Sequence, residues 1–130
     1  MANTIALQTL EDGHRNLVVK INITGDGSGD ETAALVVDVS SYTPPATSVS
    51  IQSVTYALEG FSAALNWDAT TDKLALVMNS TAPMTDDFTK HGGLINDAGA
   101  GKTGDIMLAT TGLGSGEKGT IVLTMRKKGT

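Results

Sequence analysis

The stretch Asn16-Leu17-Val18-Val19-Lys20-Ile21-Asn22-Ile23-Thr24 decides the fold. Leu17, Val19, Ile21 and Ile23 fall on one side of a period-two pattern, and Asn16, Val18, Lys20 and Asn22 fall on the other. That is a strand with one buried face. The same rhythm recurs along the chain. Ala33, Leu35, Val37 and Val39 alternate with Thr32, Ala34, Val36 and Asp38, and Phe61, Ala63, Leu65 and Trp67 alternate with Ser62, Ala64, Asn66 and Asp68. Shorter runs follow at Leu74/Leu76/Met78, Ile106/Leu108 and Ile121/Leu123/Met125. Between Val49 and Leu58 the pattern changes phase, from Val49 and Ile51 to Val54, Tyr56 and Leu58, which predicts a bulge near Gln52–Ser53. Thr4–Leu10 is a weaker strand candidate, and residues 1–10 are also read as a possible N-terminal arm.

Turn chemistry separates these runs: Asp12-Gly13, Gly25–Asp30, Thr43-Pro44-Pro45, Glu59-Gly60, Asp68–Asp72, Asn96–Gly104 and Gly112–Gly119. No dozen-residue window carries helical apolar spacing. At most, Thr85–Lys90 makes one helical turn, with Thr85 as N-cap ahead of Asp86 and Asp87. About eight strands with such punctuation predict an all-β chain, a single antiparallel β-sandwich or barrel of jelly-roll type. One long irregular segment spans 79–103, the kind of loop that serves binding or is ordered by a partner.

The chain has 130 residues, nine Lys+Arg against fourteen Asp+Glu, and no cysteine. This length suits one domain over 1–130. Without cysteine there are no disulfides, thiolate metal sites or cysteine nucleophiles. The acidic balance argues against nucleic acid as a partner. No apolar run approaches the roughly 18 residues of a membrane span, so no membrane partner is expected. The absence of a basic-then-apolar leader predicts a soluble protein of intracellular origin.

Several patterns invite a chemical reading and fail it. Gly99-Ala100-Gly101-Lys102-Thr103-Gly104 looks like part of a phosphate loop, but Asn96 stands where the first glycine belongs. The residues that follow, Asp105-Ile106-Met107-Leu108, alternate as a strand rather than opening a helix. Asp26-Gly27-Ser28-Gly29-Asp30-Glu31 places oxygen donors at alternate positions, as calcium loops do, yet Val37 occupies the position of the bidentate glutamate. A hairpin loop is the stronger reading of that stretch, with a loose calcium site in loop 25–31 left open. His14 and His91 sit in separate loops, and Asp86 and Asp87 are adjacent, so neither pair is placed to act together. Trp67 is the only seed of a sugar-stacking face, and its phase with Phe61 and Leu65 puts it in the core. The pattern predicts no enzyme: no catalytic residue, no cofactor and no metal.

The chain resembles a family of small virion structural proteins of tailed bacteriophages, of the capsid cement or decoration type. The likeness rests on Leu10-Glu11-Asp12-Gly13-His14-Arg15-Asn16 followed by Val18-Val19-Lys20, and on Val37-Asp38-Val39-Ser40. It continues in Leu65-Asn66-Trp67-Asp68-Ala69-Thr70, in Gly92-Gly93, and from Asn96 through Gly99–Ile106, covering roughly Leu7 to Lys127. The resemblance implies a jelly-roll-like β domain on the capsid surface of the virion, made in the bacterial host cytoplasm. It implies the major capsid protein as partner and a homo-oligomer, with a trimer favoured. No active-site residue comes with it. A carbohydrate- or host-surface-binding module of a phage particle is the alternative.

For such a protein, Met84, Phe88, Leu94 and Ile95 in the irregular segment are the candidate partner-interface residues. The basic tip 126–130, with Arg126, Lys127 and Lys128, is read as a solvated end or as a docking point for an acidic neighbour. At roughly 25 cal/mol per Å² of apolar burial, a few hundred Å² per subunit adds several kcal/mol before association costs.

Overall fold

Among the described residues the alternating runs become nine strands in two antiparallel sheets. The structure, a computed structural model, describes residues 3–27, 29–32, 34–42, 47–78, 84–89, 93–96, 99, 101 and 103–128, the side chains of Met84 and Lys128 excepted. The strands are β1 (Thr4–Asp12), β2 (Asn16–Thr24), β3 (Ala34–Val37), β4 (Ser48–Leu58), β5 (Ser62–Trp67), β6 (Lys73–Met78), β7 (Met84–Asp87), β8 (Ile106–Thr111) and β9 (Lys118–Lys128). A 3-10 turn follows β3 at Val39–Ser41, where the Asp38 carboxylate accepts from Ser40 N, and Thr89 after β7 is also in 3-10 conformation.

One sheet runs β1-β2-β9-β4-β7 and the other β3-β8-β5-β6. Strands β2 to β9 thus follow the interleaved order of a jelly roll, and β1 adds an edge strand beside β2. The chain is a β-sandwich, not a closed barrel. The inward residues of both sheets form one core. Leu17, Val19, Ile21 and Ile23 of β2 meet Leu65, Trp67, Ile106, Leu108, Ile121 and Leu123, all essentially without exposure. Trp67 is 1% exposed, as its phase with Phe61 and Leu65 requires.

Three features of the alternation are confirmed in detail. The phase change in β4 is a bulge between Ile51 and Ser53 in its pairing with β9. Asp12-Gly13 starts the β1–β2 hairpin, where Gly13 N donates to Asn16 O. Glu59-Gly60 turns β4 into β5, with Gly60 at φ +78°, a conformation that glycine adopts without steric cost.

Other expectations need correction. Of the two readings of the N-terminal stretch the strand candidate Thr4–Leu10 holds and the free arm does not: residues 4–12 form β1, paired with β2 from Thr4↔Thr24 to Asp12↔Leu17. Its ends are tied down: Asn3 Nδ2 donates to Gly29 O and Glu31 Oε2, and Lys127 Nζ pairs with Asp12. Over Thr85–Asp87 the helical turn expected for Thr85–Lys90 is replaced by β7, which pairs with β4 from Ser53↔Asp87 to Tyr56↔Met84; Thr89 is in 3-10 conformation and Lys90 lies outside the described residues. The open edge of β4 supplies backbone partners that an isolated helical turn lacks, so tertiary pairing overrides the local capping signal.

The irregular segment is therefore interrupted by a strand. After β7, Leu94 and Ile51 exchange both backbone hydrogen bonds, extending the edge of β4. In β3, Leu35 does not face the core: a bulge between Leu35 and Val37 buries Val36 and Val37 and leaves Leu35 46% exposed. The expected core position Ala33 lies outside the described residues.

Candidate functional site

In an antiparallel sandwich each sheet turns one face to the core and one to water, and the outward face is ordinarily polar. The five-stranded sheet obeys this. Its outward rows run Lys20–Val122–Thr55–Thr85 and Asn22–Thr120–Ala57. Thr55 and Thr85 share a hydroxyl hydrogen bond of 3.1 Å, and Thr120 Oγ1 donates to Asn22 Oδ1 at 2.9 Å.

The four-stranded sheet does not obey it. One outward row crosses all four strands as Leu35–Met107–Asn66–Leu74, and the next runs Ala109–Ala64–Val77. Leu35 is 46%, Leu74 54% and Val77 60% exposed. None of these seven positions carries a charge. Asn66 is the one polar residue of the seven, and an uncharged, mostly apolar sheet face open to solvent has the character of an interaction surface. No residue of this face was among the sequence candidates, because Leu35 and Leu74 read there as core.

Of the residues that were candidates, Phe88 and Leu94 are half-buried and pack against the protein's own core. Ile95 beside them is 61% exposed. Met84 lies in β7, with its side chain outside the described residues. Arg126 is exposed at the outward side of β9, and Lys128 ends that strand with its side chain outside the described set.

Lys127 corrects the reading of a solvated tip. Its residue is 6% exposed, its ammonium is paired with the Asp12 carboxylate, and it lies 6.0 Å from the Tyr42 ring centroid. Lys127 continues the inward series Ile121, Leu123 and Met125 of β9, and a buried ammonium must find a counter-charge. Burial first, then the charges of Asp12 and Asp38, hold the Tyr42 phenol above its ordinary range.

Asp30 and Glu31 of the 25–31 loop have structural tasks, Glu31 through Asn3. Asp30 accepts from Gly112 N at 3.1 Å, Leu113 N at 2.8 Å and Thr110 Oγ1 at 3.3 Å, which joins this loop to the one after β8. Those bonds, led by the Leu113 and Gly112 amides, hold Asp30 below the usual carboxylate range. Among the described residues no three His, Cys, Asp or Glu side chains are grouped to hold a metal ion. Asp105 lies near Asp38 and Asp68 and accepts from Val39 N at 3.0 Å. Burial, followed by its carboxylate neighbours, moves its pKa upward against that hydrogen bond.

The glycine-rich stretch that mimics a phosphate loop leads into β8, where Ile106 and Leu108 are buried and Met107 is not, so the strand reading holds. His14 is exposed in the β1–β2 turn, and His91 and Lys102 lie outside the described residues. Asp86 and Asp87 are consecutive in β7 and so point to opposite sides. Asp87 Oδ1 accepts from Thr89 N and Oγ1.

No protein-family model and no curated protein matches this chain. Among solved structures it is similar to a cupin superfamily protein from Desulfitobacterium hafniense, at 12% identity over 98% of this chain and 81% of that one, with a TM-score of 0.36. A family 11 carbohydrate-binding module from Clostridium thermocellum, solved with a mixed-linked tetrasaccharide, gives 8% identity over 99% and 85%, with a TM-score of 0.32. Hydroxypropylphosphonic acid epoxidase from S. wedmorenis gives 9% identity over 83% of this chain and 42% of that one, at a TM-score of 0.29. These likenesses concern overall shape and carry no functional weight.

Proposed function

We propose that this chain is a non-enzymatic structural protein of a tailed-phage particle, a cement protein that seats the outer face of its four-stranded sheet on the major capsid protein. The observation that carries the reading is the charge-free apolar face built by Leu35, Met107, Leu74, Val77 and the alanines between them. The resemblance of the sequence to virion cement proteins supplies the kind of partner. Covering a half-exposed leucine or valine completely returns about 1 kcal/mol, and repetition over a shell multiplies that gain through avidity. The sugar-binding alternative needs an exposed aromatic platform. Its seed, Trp67, is interior, and Phe61 and Tyr56 are buried with it.

The test is cosedimentation with capsids of the same phage, comparing the natural chain with the double variant Leu74→Lys/Val77→Lys. Both side chains are more than half exposed, so the variant should melt within a few degrees of the natural protein. Its affinity for the shell should fall more than tenfold, because two ammonium groups would be buried unpaired. Equal binding by both proteins, or no binding by the natural chain, overturns the reading.

A further inference from the structure

We propose that the free edge of β1 pairs with the same edge of a second copy of this chain, antiparallel and across a two-fold axis at Leu7. This pairing follows from the edges the sandwich leaves open and is independent of the capsid reading. The two sheets end in four edge strands: β1, β7, β3 and β6. Three are blunted in the ways that discourage strand addition. Strand β7 is four residues long and includes Asp86 and Asp87. Strand β3 has four residues and a bulge. Strand β6 opens on Lys73 and is interrupted by the register shift between its partners Leu65 and Asn66.

Strand β1 has none of these protections over most of its length. It runs nine residues, Thr-Ile-Ala-Leu-Gln-Thr-Leu-Glu-Asp, with neither lysine nor proline. Its register to β2 is unbroken from Thr4 to Thr9 and shifts only between Thr9 and Glu11. It is also fixed in place, through Asn3 at one end and the Asp12–Lys127 pair at the other. Among the described residues no strand lies beyond it. A rigid strand with an open row of backbone donors and acceptors is a template for another strand.

The sequence of β1 selects what that strand is. Leu7 stands opposite the fully buried Ile21, so it points toward the core side, yet it is 48% exposed. The five-stranded sheet is one strand wider than the four-stranded sheet, which leaves this inward position uncovered. Antiparallel pairing about Leu7 sets Leu7 on Leu7 of the second copy, Ile5 on Thr9, and Ala6 on Gln8. It keeps the core-side residues of both copies on one face of a continuous sheet. The same arrangement carries Glu11 and Asp12 to opposite ends of the pair. A parallel arrangement would stack them on their own copies, where like charges repel. Length, apolar match and charge therefore all favour a second β1.

An interface of this size is small, so the dimer should depend on concentration. Light scattering across a micromolar-to-millimolar series should show the mass rising from 13.4 kDa toward twice that value. Leu7→Lys, which puts a charge on the edge, should hold the protein at the monomer mass with an unchanged circular dichroism spectrum. Leu74→Lys, on the far sheet, should dimerise like the natural chain. Because the protein contains no cysteine, single-cysteine variants report the register directly. Oxidised Leu7→Cys should cross-link through directly opposed side chains, and Thr9→Cys, facing Ile5 of the other copy, should not. A strict monomer, a trimer, a dimer blocked by Leu74→Lys but not by Leu7→Lys, or cross-linking that favours Thr9→Cys would each overturn the proposal.

Discussion

Deleting the carboxylate of Asp12 while leaving Lys127 in place should destabilise the sandwich far more than deleting the lysine. The Lys127 side chain has 0% exposure and that of Asp12 28%, so the pair is buried at its cationic end and wet at its anionic end. In Asp12→Ala the ammonium keeps its place under Tyr42 and loses its charged partner. Breaking a fully buried pair from one side costs about 3–5 kcal/mol. The partial exposure of Asp12 brings the expectation to about 2–3 kcal/mol, since water screens part of the attraction.

Lys127→Met removes charge, partner and desolvation cost together, and leaves an apolar chain of similar volume among Met125 and its neighbours. That change should lie within about 1 kcal/mol of the natural protein. The double variant should then match Lys127→Met, because the Asp12 carboxylate has lost the ammonium it compensated. Urea unfolding of the four proteins measures the cycle directly. In melting temperature the Asp12→Ala loss corresponds to roughly 6–12 °C. Tyr42 gives a second readout: without the Asp12 charge its phenol should titrate at lower pH, burial still holding it above the ordinary value. If Asp12→Ala costs no more than Lys127→Met, the ammonium is solvated and the reading of β9 as burying its last inward lysine is wrong.

Asp105→Asn should stabilise the protein slightly at neutral pH, by less than about 0.5 kcal/mol because the group is only partly buried and water screens it, since an amide oxygen still accepts from Val39 N while the repulsion from Asp38 and Asp68 disappears. The folded pKa of Asp105 is raised, so this group favours the fold most at low pH and its contribution is lost as pH rises through that value. The gain from Asp105→Asn should accordingly vanish in acid, and melting curves across pH would refute this if the gain grew there instead. Gly104→Ala should cost at least about 2 kcal/mol. The residue sits at φ +91°, and an added Cβ would stand 2.0 Å from Thr47 O, so a loss under half that value would show that the loop relaxes freely.

Much of this fold is legible in the alternation because the core fills one side of nearly every strand. Leu17 to Ile23, Phe61 to Trp67 and Ile121 to Met125 have buried partners wherever the period predicts them. Even the bulge in β4 is visible as a phase change, since Val54 and Tyr56 could not otherwise face inward with Ile51. What escapes is decided by partners distant in sequence. Thr85-Asp86-Asp87 carries a local helix-start signal, and only the open edge of β4, some 30 residues earlier, makes it a strand. Lys127 was in principle readable, being two residues beyond Met125 on the same phase. Its charge marks it as a surface residue until Asp12, 115 positions away, is placed beside it.

The outer face of the four-stranded sheet is the deepest of these cases, because two bulges create it. In an unbroken β3, Leu35 and Val37 would share the core face, and in an unbroken β6, Leu74 would join Leu76 and Met78 there. The register shifts between Leu35 and Val37, and between the β6 partners Leu65 and Asn66, turn Leu35 and Leu74 outward. They land at the two ends of one row, with Met107 and Asn66 between them. Bulges are the ordinary means by which a strand re-aims a side chain. Here both re-aim leucines from the core to water, which forfeits burial the chain could have kept. In β3 the bulge buries Val36 in exchange for Leu35, so part of that loss is returned within the monomer, while Leu35 and Leu74 stay about half exposed. On the proposed reading a partner covering the row returns the rest, and an uncharged, mostly apolar face suits a protein surface better than a charged ligand.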